Sequence, residues 1–141
     1  MGTHHTWHRW EINITKEQEA NMIYFKTNGT EYPASIAGKV ADRDWDNRES
    51  KAVMLAMPYA QAAQIFVDGL VWSIVQRDTV PVYGTDGNPT GETTEQVQEW
   101  DNSDFCVAGP ITDHRDGTLT VKMGKYTQLE EALRQIGEAL A

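Results

Sequence analysis

Asp42, Asp44 and Asp46 stand at every second position of DRDWDNRES, residues 42–50, the alternation found in the first half of a calcium-binding loop. Such a loop takes oxygen ligands from its first, third and fifth positions, bends at a glycine in the sixth and closes with a bidentate glutamate at the twelfth. Here the sixth position is Asn47 and the twelfth is Val53, and the flanks SIAGKVA and KAVMLAM read as strands rather than amphipathic helices. The stretch therefore predicts a β-hairpin tip that binds no metal. Asp46 and Asn47 suit its tight backbone conformations, and Trp45 either folds back on the hairpin or stands out for contact.

The other reactive groups are sparse. His4, His5 and His8 form an HHxxH cluster, but HHTWH lacks the glutamate that a zincin helix places directly after its first histidine. Cys106 sits in an alternating run, Phe105 and Val107 opposite Ala108, which predicts a small apolar strand residue. A catalytic thiolate there would need a histidine, and His114 is the candidate outside the N-terminal cluster. Asp113, His114, Arg115 and Asp116 crowd onto one turn. Arg115 could grip a phosphate or carboxylate from there, whereas a merely wet hairpin tip carries the same charges. GTDGNPTG follows neither nucleotide-phosphate spacing. No cofactor is expected, and no enzymatic activity.

These groups must be carried by a chain of 141 residues, the size of one ordinary domain spanning 1–141. With 40% hydrophobic residues and five tryptophans it is apolar enough to fold. One cysteine cannot form an intramolecular disulfide, and the N-terminus lacks the apolar run of a signal peptide, so a reducing cytoplasm is expected. The longest apolar run, LVWSIV, falls far short of a membrane span, and the sequons at Asn13 and Asn28 read as chance. A net charge of -9 disfavours direct contact with nucleic acid. From Asp78 to His114 there is no lysine or arginine but there are eight acidic residues, Glu95, Glu99, Asp101 and Asp104 among them. That run makes either a solvated face or a surface for a basic partner.

The periodicities predict an α+β fold, mostly antiparallel sheet, with one short internal helix and a C-terminal amphipathic helix packed on the sheet. TWHRWEINI alternates as a strand, and Thr15 with Gln18 resembles a capping box ahead of a segment open to helix or strand. Asn28-Gly29 marks a turn, and TEYPASIAGKVA after it reads as extended, Pro33 suiting an edge. Pro58 to Asp68-Gly69 predicts a helix of two to three turns with Ala62, Ile65 and Phe66 inward. LVWSIVQR reads as a central strand apolar on both faces, extended by VPVY. YGTDGNPTGETTEQ reads as a long mobile loop, and QVQEW as its return, making a protruding arm. FCVAGPIT and TLTVKMG form a hairpin that turns at Gly117. Thr127 and Glu130 then cap a helix whose Leu129, Ala132, Leu133, Ile136 and Leu140 repeat at helical spacing.

The runs RESKAVMLAM, DNSDFCVAGPITDHRDGTLTVKMGKYT and LEEALRQIGEALA resemble small uncharacterised proteins of phages and prophages of gut Firmicutes. The resemblance implies a viral context within a host bacterial cell and brings no catalytic residue with it. The expected function is non-enzymatic binding, most concretely inhibition of a bacterial anti-phage defence protein with a basic groove. Trp45 and Trp100 would be the anchors, and Glu95, Glu99, Asp101 and Asp104 the steering charges. Two alternatives stand beside it. One is sequestration of a small nucleotide-like signal in a homo-oligomer through Asp113, His114 and Arg115. The other is a virion or tail-assembly part that uses its sheet edges.

Overall fold

The computed structural model describes residues 21–140. The TWHRWEINI segment, the Thr15–Gln18 cap, the sequon at Asn13 and the histidines His4, His5 and His8 lie outside them. Strands β1 (Asn21–Thr27), β2 (Thr30–Asp42) and β3 (Arg48–Ala56) lead to a short helix α1 (Tyr59–Ile65). β4 (Ser73–Tyr83), β5 (Pro89–Asp101), β6 (Val107–Asp113), β7 (Thr118–Gly124) and a C-terminal helix α2 (Gln128–Leu140) follow. The fold is α+β; among the described residues it forms one sheet of seven strands in the order β5-β4-β1-β2-β3-β7-β6, with every adjacent pair antiparallel.

Local chemistry explains the turns. Asn28 and Gly29 both take positive φ, 52° and 78°, as a tight two-residue hairpin demands. β2 pairs with β1 as far as Pro33 and with β3 from Ala34 onward. Pro33, which has no N–H to give a ladder, thus stands where the strand passes from one partner to the other. Gly117, at φ 93°, closes the β6–β7 turn as its sequence requires.

The main core cluster lies on one face, while Val75, the neighbour of Ile74 in β4, is buried on the other. Val53 and Leu55 of β3 pair across to Val121 and Leu119 of β7, and with Met123 they meet Phe25, Ala62, Phe66, Trp72 and Phe105. The Phe25 ring stacks on Phe66 at 4.7 Å and lies 5.4 Å from Trp72. Trp72 donates its indole N–H to the Phe105 carbonyl at 2.9 Å, so its one polar atom is satisfied where it is buried. Each fully buried side chain of this kind contributes about 1.5–3 kcal/mol.

Three expectations change. LVWSIVQR is not a central strand: β4 begins at Ser73, lies next to the sheet edge, and leaves Val71 exposed. The predicted mobile loop is mostly ladder. Pairing runs out to Tyr83 and Pro89, and the turn is confined to about Gly84–Asn88, because threonine and valine side chains favour extended backbone over the glycines' freedom. Finally, α2 is not packed on the sheet. None of its residues is buried, since the core face is already covered by α1 and by the crossing segment that holds Phe105.

Candidate functional site

The DRDWDNRES turn is a buried polar corner. Arg43–Trp45 form one 3-10 turn, capped by Asp42, whose Oδ1 accepts from the Asp44 N–H at 3.2 Å. The fully buried Asp42 carboxylate also accepts from Ser50 Oγ at 3.1 Å and Lys122 Nζ at 2.9 Å. Lys122 above all, then Ser50 and the backbone N–H, hold this carboxyl below the usual range. Its oxygens are committed within the protein. Asp46 and Asn47 take positive φ, 59° and 57°.

Trp45 is not an exposed anchor; it folds back. Its ring covers Gly109 and Gly124, where a Cβ would come within 2.7 and 2.8 Å of ring carbons, and the Arg48 guanidinium stacks on it 4.6 Å from the centroid. Arg48, itself buried, donates to Glu130 Oε1 and Oε2 at 2.8 and 3.0 Å and to the Lys125 carbonyl at 3.0 Å. Glu130 also completes the capping box: it accepts from the Thr127 N–H at 3.0 Å while Thr127 Oγ1 accepts from the Glu130 N–H at 3.1 Å. Arg48 thereby clamps the first turn of α2 to the sheet and, ahead of Thr127, lowers the Glu130 pKa.

The acidic run does not form one surface. β5 and β6 are the two outer strands of the sheet order, so Glu95 and Glu99 stand at the opposite edge from Asp113. Within β5 the period of two divides the remainder. Glu95 and Glu99 lie opposite Thr79 and Val75, whereas Trp100 lies opposite Ile74, on the face that carries Phe25. Glu95 accepts from Arg77 at 2.8 Å and Glu99 from Lys26 at 3.1 Å. Arg77 also makes a bidentate pair with Glu31 at 2.7 and 2.9 Å. Trp100 is about half exposed at the margin of the core face. Asp101 binds the Ser103 hydroxyl and N–H, which lowers its pKa, and Asp104 is exposed on the segment crossing to β6. What remains is geometric: among the described residues β5 is an outer strand of thirteen residues, all exposed, with four acidic side chains and no basic one.

Two of the small-ligand candidates take partners within their own hairpin. Asp113 accepts from the Arg115 N–H at 2.8 Å, His114 Nε2 meets Thr120 Oγ1 at 2.7 Å, and Arg115 takes φ 61°. Asp113 thus supports the turn rather than a ligand. Cys106 precedes β6 instead of lying in it, with its carbonyl accepting from Gly69 N–H at 2.8 Å. The thiol's titratable neighbour is Tyr126, whose pKa it raises.

The most unusual surface is α2. Clamped at Glu130, it exposes Leu129, Leu133, Ile136 and Leu140 by 70, 58, 55 and 82%. Its polar side ties itself together, Arg134 pairing with Glu131 at 3.0 Å and Glu138 at 3.6 Å. Sequence reasoning identified the stripe but missed its anchor Arg48, the Lys122–Asp42 pair and the Gly109–Gly124 cradle. Isolated glycines inside strand patterns were the available signal for the last. A cleft of about 440 Å³ at the β2 crossover is lined by groups such as Met22, Ile36 and Leu55, with no ionisable residue for catalysis. No helix among the described residues is long and apolar enough to cross a membrane. Comparison with protein-family models, with curated proteins and with solved structures finds no match to this chain.

Proposed function

We propose that this chain is a non-enzymatic binding protein that takes an extended, basic segment of its partner along the outer edge of β5. The observation that carries this reading is the thirteen-residue outer strand, exposed throughout and acidic without a basic residue. An outer strand offers a row of backbone donors and acceptors on which a partner strand can add. Its like charges oppose pairing of β5 with itself and favour a cationic strand. Trp100 and Asp104, near its C-terminal end, supply an aromatic anchor and a steering charge. Inhibition of a bacterial defence protein inside the host cell is the concrete version, supported by the phage-type sequence resemblance. A virion or assembly role is a second reading, favoured by the projecting apolar stripe of α2.

The test replaces Glu92, Gln96 and Gln98 with lysine, which cancels the strand's formal charge without touching Glu95 or Glu99 and their ion pairs. Capture of a host protein from bacterial lysate should be lost in this variant and should weaken in wild type as salt rises. Capture abolished instead by Leu133→Glu with Ile136→Glu moves the assembly reading ahead. Capture unchanged in both variants removes the edge-strand reading.

A further inference from the structure

We infer that α2 is a self-recognition element: two copies of the chain pair through this helix, antiparallel, about a two-fold axis between Arg134 and Gln135. The inference stands independently of the edge-strand reading.

Three observations lead to it. The exposed residues Leu129, Leu133, Ile136 and Leu140 follow a four-three-four spacing, the narrow seam of a coiled coil rather than the broader face that a helix lays on a sheet. That spacing is also palindromic. In an antiparallel copy Leu129 meets Leu140 and Leu133 meets Ile136, each layer repeated by the two-fold axis. The flanks agree with the same register. Ala132 meets Ala139 on one side, and on the other Glu130, already held by Arg48, meets Gly137.

Gly137 is the second observation. It weakens a helix interior by up to about 1 kcal/mol relative to alanine. Nothing lies within 4 Å of a Cβ built there, so the isolated chain gives it no steric reason. Opposite a clamped Glu130 of the second copy, the missing side chain makes the room that close helix packing requires.

Charge is the third. Glu131, Arg134 and Glu138 lie on the far side of the helix and pair among themselves, so joining two seams brings no like charges together. Each chain carries -9 overall. Because α2 is anchored toward its N-terminal end, by Glu130 on Arg48 and by Arg134 over the Tyr126 ring, an antiparallel pair sets the two bodies toward opposite ends of a helix about 20 Å long, beyond the roughly 8 Å screening length. A parallel pair would set them side by side. The stripe exposes on the order of 500 Å² per copy, so pairing can remove at most about 1,000 Å² from these side chains, at the threshold of a specific interface.

The experiment uses the full chain. Light scattering over a concentration series should give twice the chain mass for wild type. Leu133→Glu with Ile136→Glu should give the single mass while keeping the wild-type circular dichroism, since neither residue belongs to the sheet core. In a Cys106→Ser background, Leu129→Cys mixed with Leu140→Cys should form a covalent dimer on mild oxidation, and Leu129→Cys alone should not. A wild type that stays monomeric at 100 µM, on the order of the concentration at which weak specific pairs form, overturns the inference. So does crosslinking of Leu129→Cys with itself, which reports a parallel pair. So does a chain that dimerises only after residues 1–20 are removed, which would make that segment the natural cover of the stripe.

Discussion

The corner around Asp42 and the helix α2 invert each other. At the corner charged and polar side chains are buried: Asp42, Arg48 and Ser50 are nearly inaccessible, and their polar atoms are engaged except for Arg48 Nε, which sits in the guanidinium stacked on Trp45. In α2 the apolar side chains are out and the charges idle against each other. A buried polar group persists only where partners are built around it, and an exposed apolar stripe persists only where something else is to cover it. The first region therefore belongs to the fold and the second is the surface on which the proposed pairing rests, and the two meet at one residue pair, Arg48–Glu130.

The largest effect should separate core from stripe. Leu119→Ala should cost about 2–5 kcal/mol in denaturant unfolding, whereas Leu133→Ala, measured at concentrations where the chain is monomeric, should stay within about 0.5 kcal/mol. Comparable losses would mean that α2 packs on the sheet after all. Arg48→Ala strikes the junction. It leaves Glu130 and the Lys125 carbonyl unpaired and unsupports Trp45, at about 2–3 kcal/mol, below a fully buried pair because the Glu130 side chain is 39% exposed. The helix should then exchange its amides faster than β3 does, which hydrogen exchange reads directly.

A smaller change tests the cradle. A Cβ at Gly124 would lie 2.6 Å from Arg48 Cδ and 2.8 Å from a Trp45 ring carbon, so Gly124→Ala should destabilise by about 1–3 kcal/mol. Its cost should shrink once Trp45→Ala removes the ring, and additive losses in that double-mutant cycle would place the strain elsewhere. Acid gives a gentler signal. Asp42 and Glu130 both have folded pKa values below their unfolded ones, so their stabilisation is complete above the unfolded value of about 4 and is lost as pH falls through the folded values. The melting temperature should hold from pH 7 to about pH 5 and decline below about pH 4, less steeply in Asp42→Asn. Chelator should shift it not at all, because the Asp42 oxygens are held by Lys122, Ser50 and a backbone N–H rather than by an ion.

Much of this architecture is written locally. Asn28-Gly29, Gly117, the start of α1 and the Thr127–Glu130 box each follow from a few neighbouring residues whose chemistry admits one backbone path, whereas α1 ends at Ile65, short of the Asp68-Gly69 stop. Partners distant in sequence are not so written. Nothing near Trp45 announces Gly109 and Gly124, and nothing near Asp42 announces Lys122, so a charged turn that reads as solvated becomes a buried corner. The acidic run misleads for the same reason. Eight carboxylates in one stretch look like one field until the sheet order sends β5 and β6 to opposite edges and strand pairing sets Arg77 against Glu95 and Lys26 against Glu99. The C-terminal helix shows the converse: its periodicity was plain, but periodicity identifies an apolar face without saying what covers it.

The strand order also sets a timetable. β4–β5 and β6–β7 are hairpins that close short loops, whereas the β3–β7 ladder joins Val53 to Val121 and the β1–β4 ladder joins Phe25 to Ile74. Such distant pairings form only after the entropy of long loop closure has been met, which places folding in the millisecond-to-second range. On a ribosome β3 would emerge well before its partner β7, and α2 would follow both. For that interval the apolar side of β3 has no ladder mate on one flank, and a nascent chain held there would be the form most prone to aggregate.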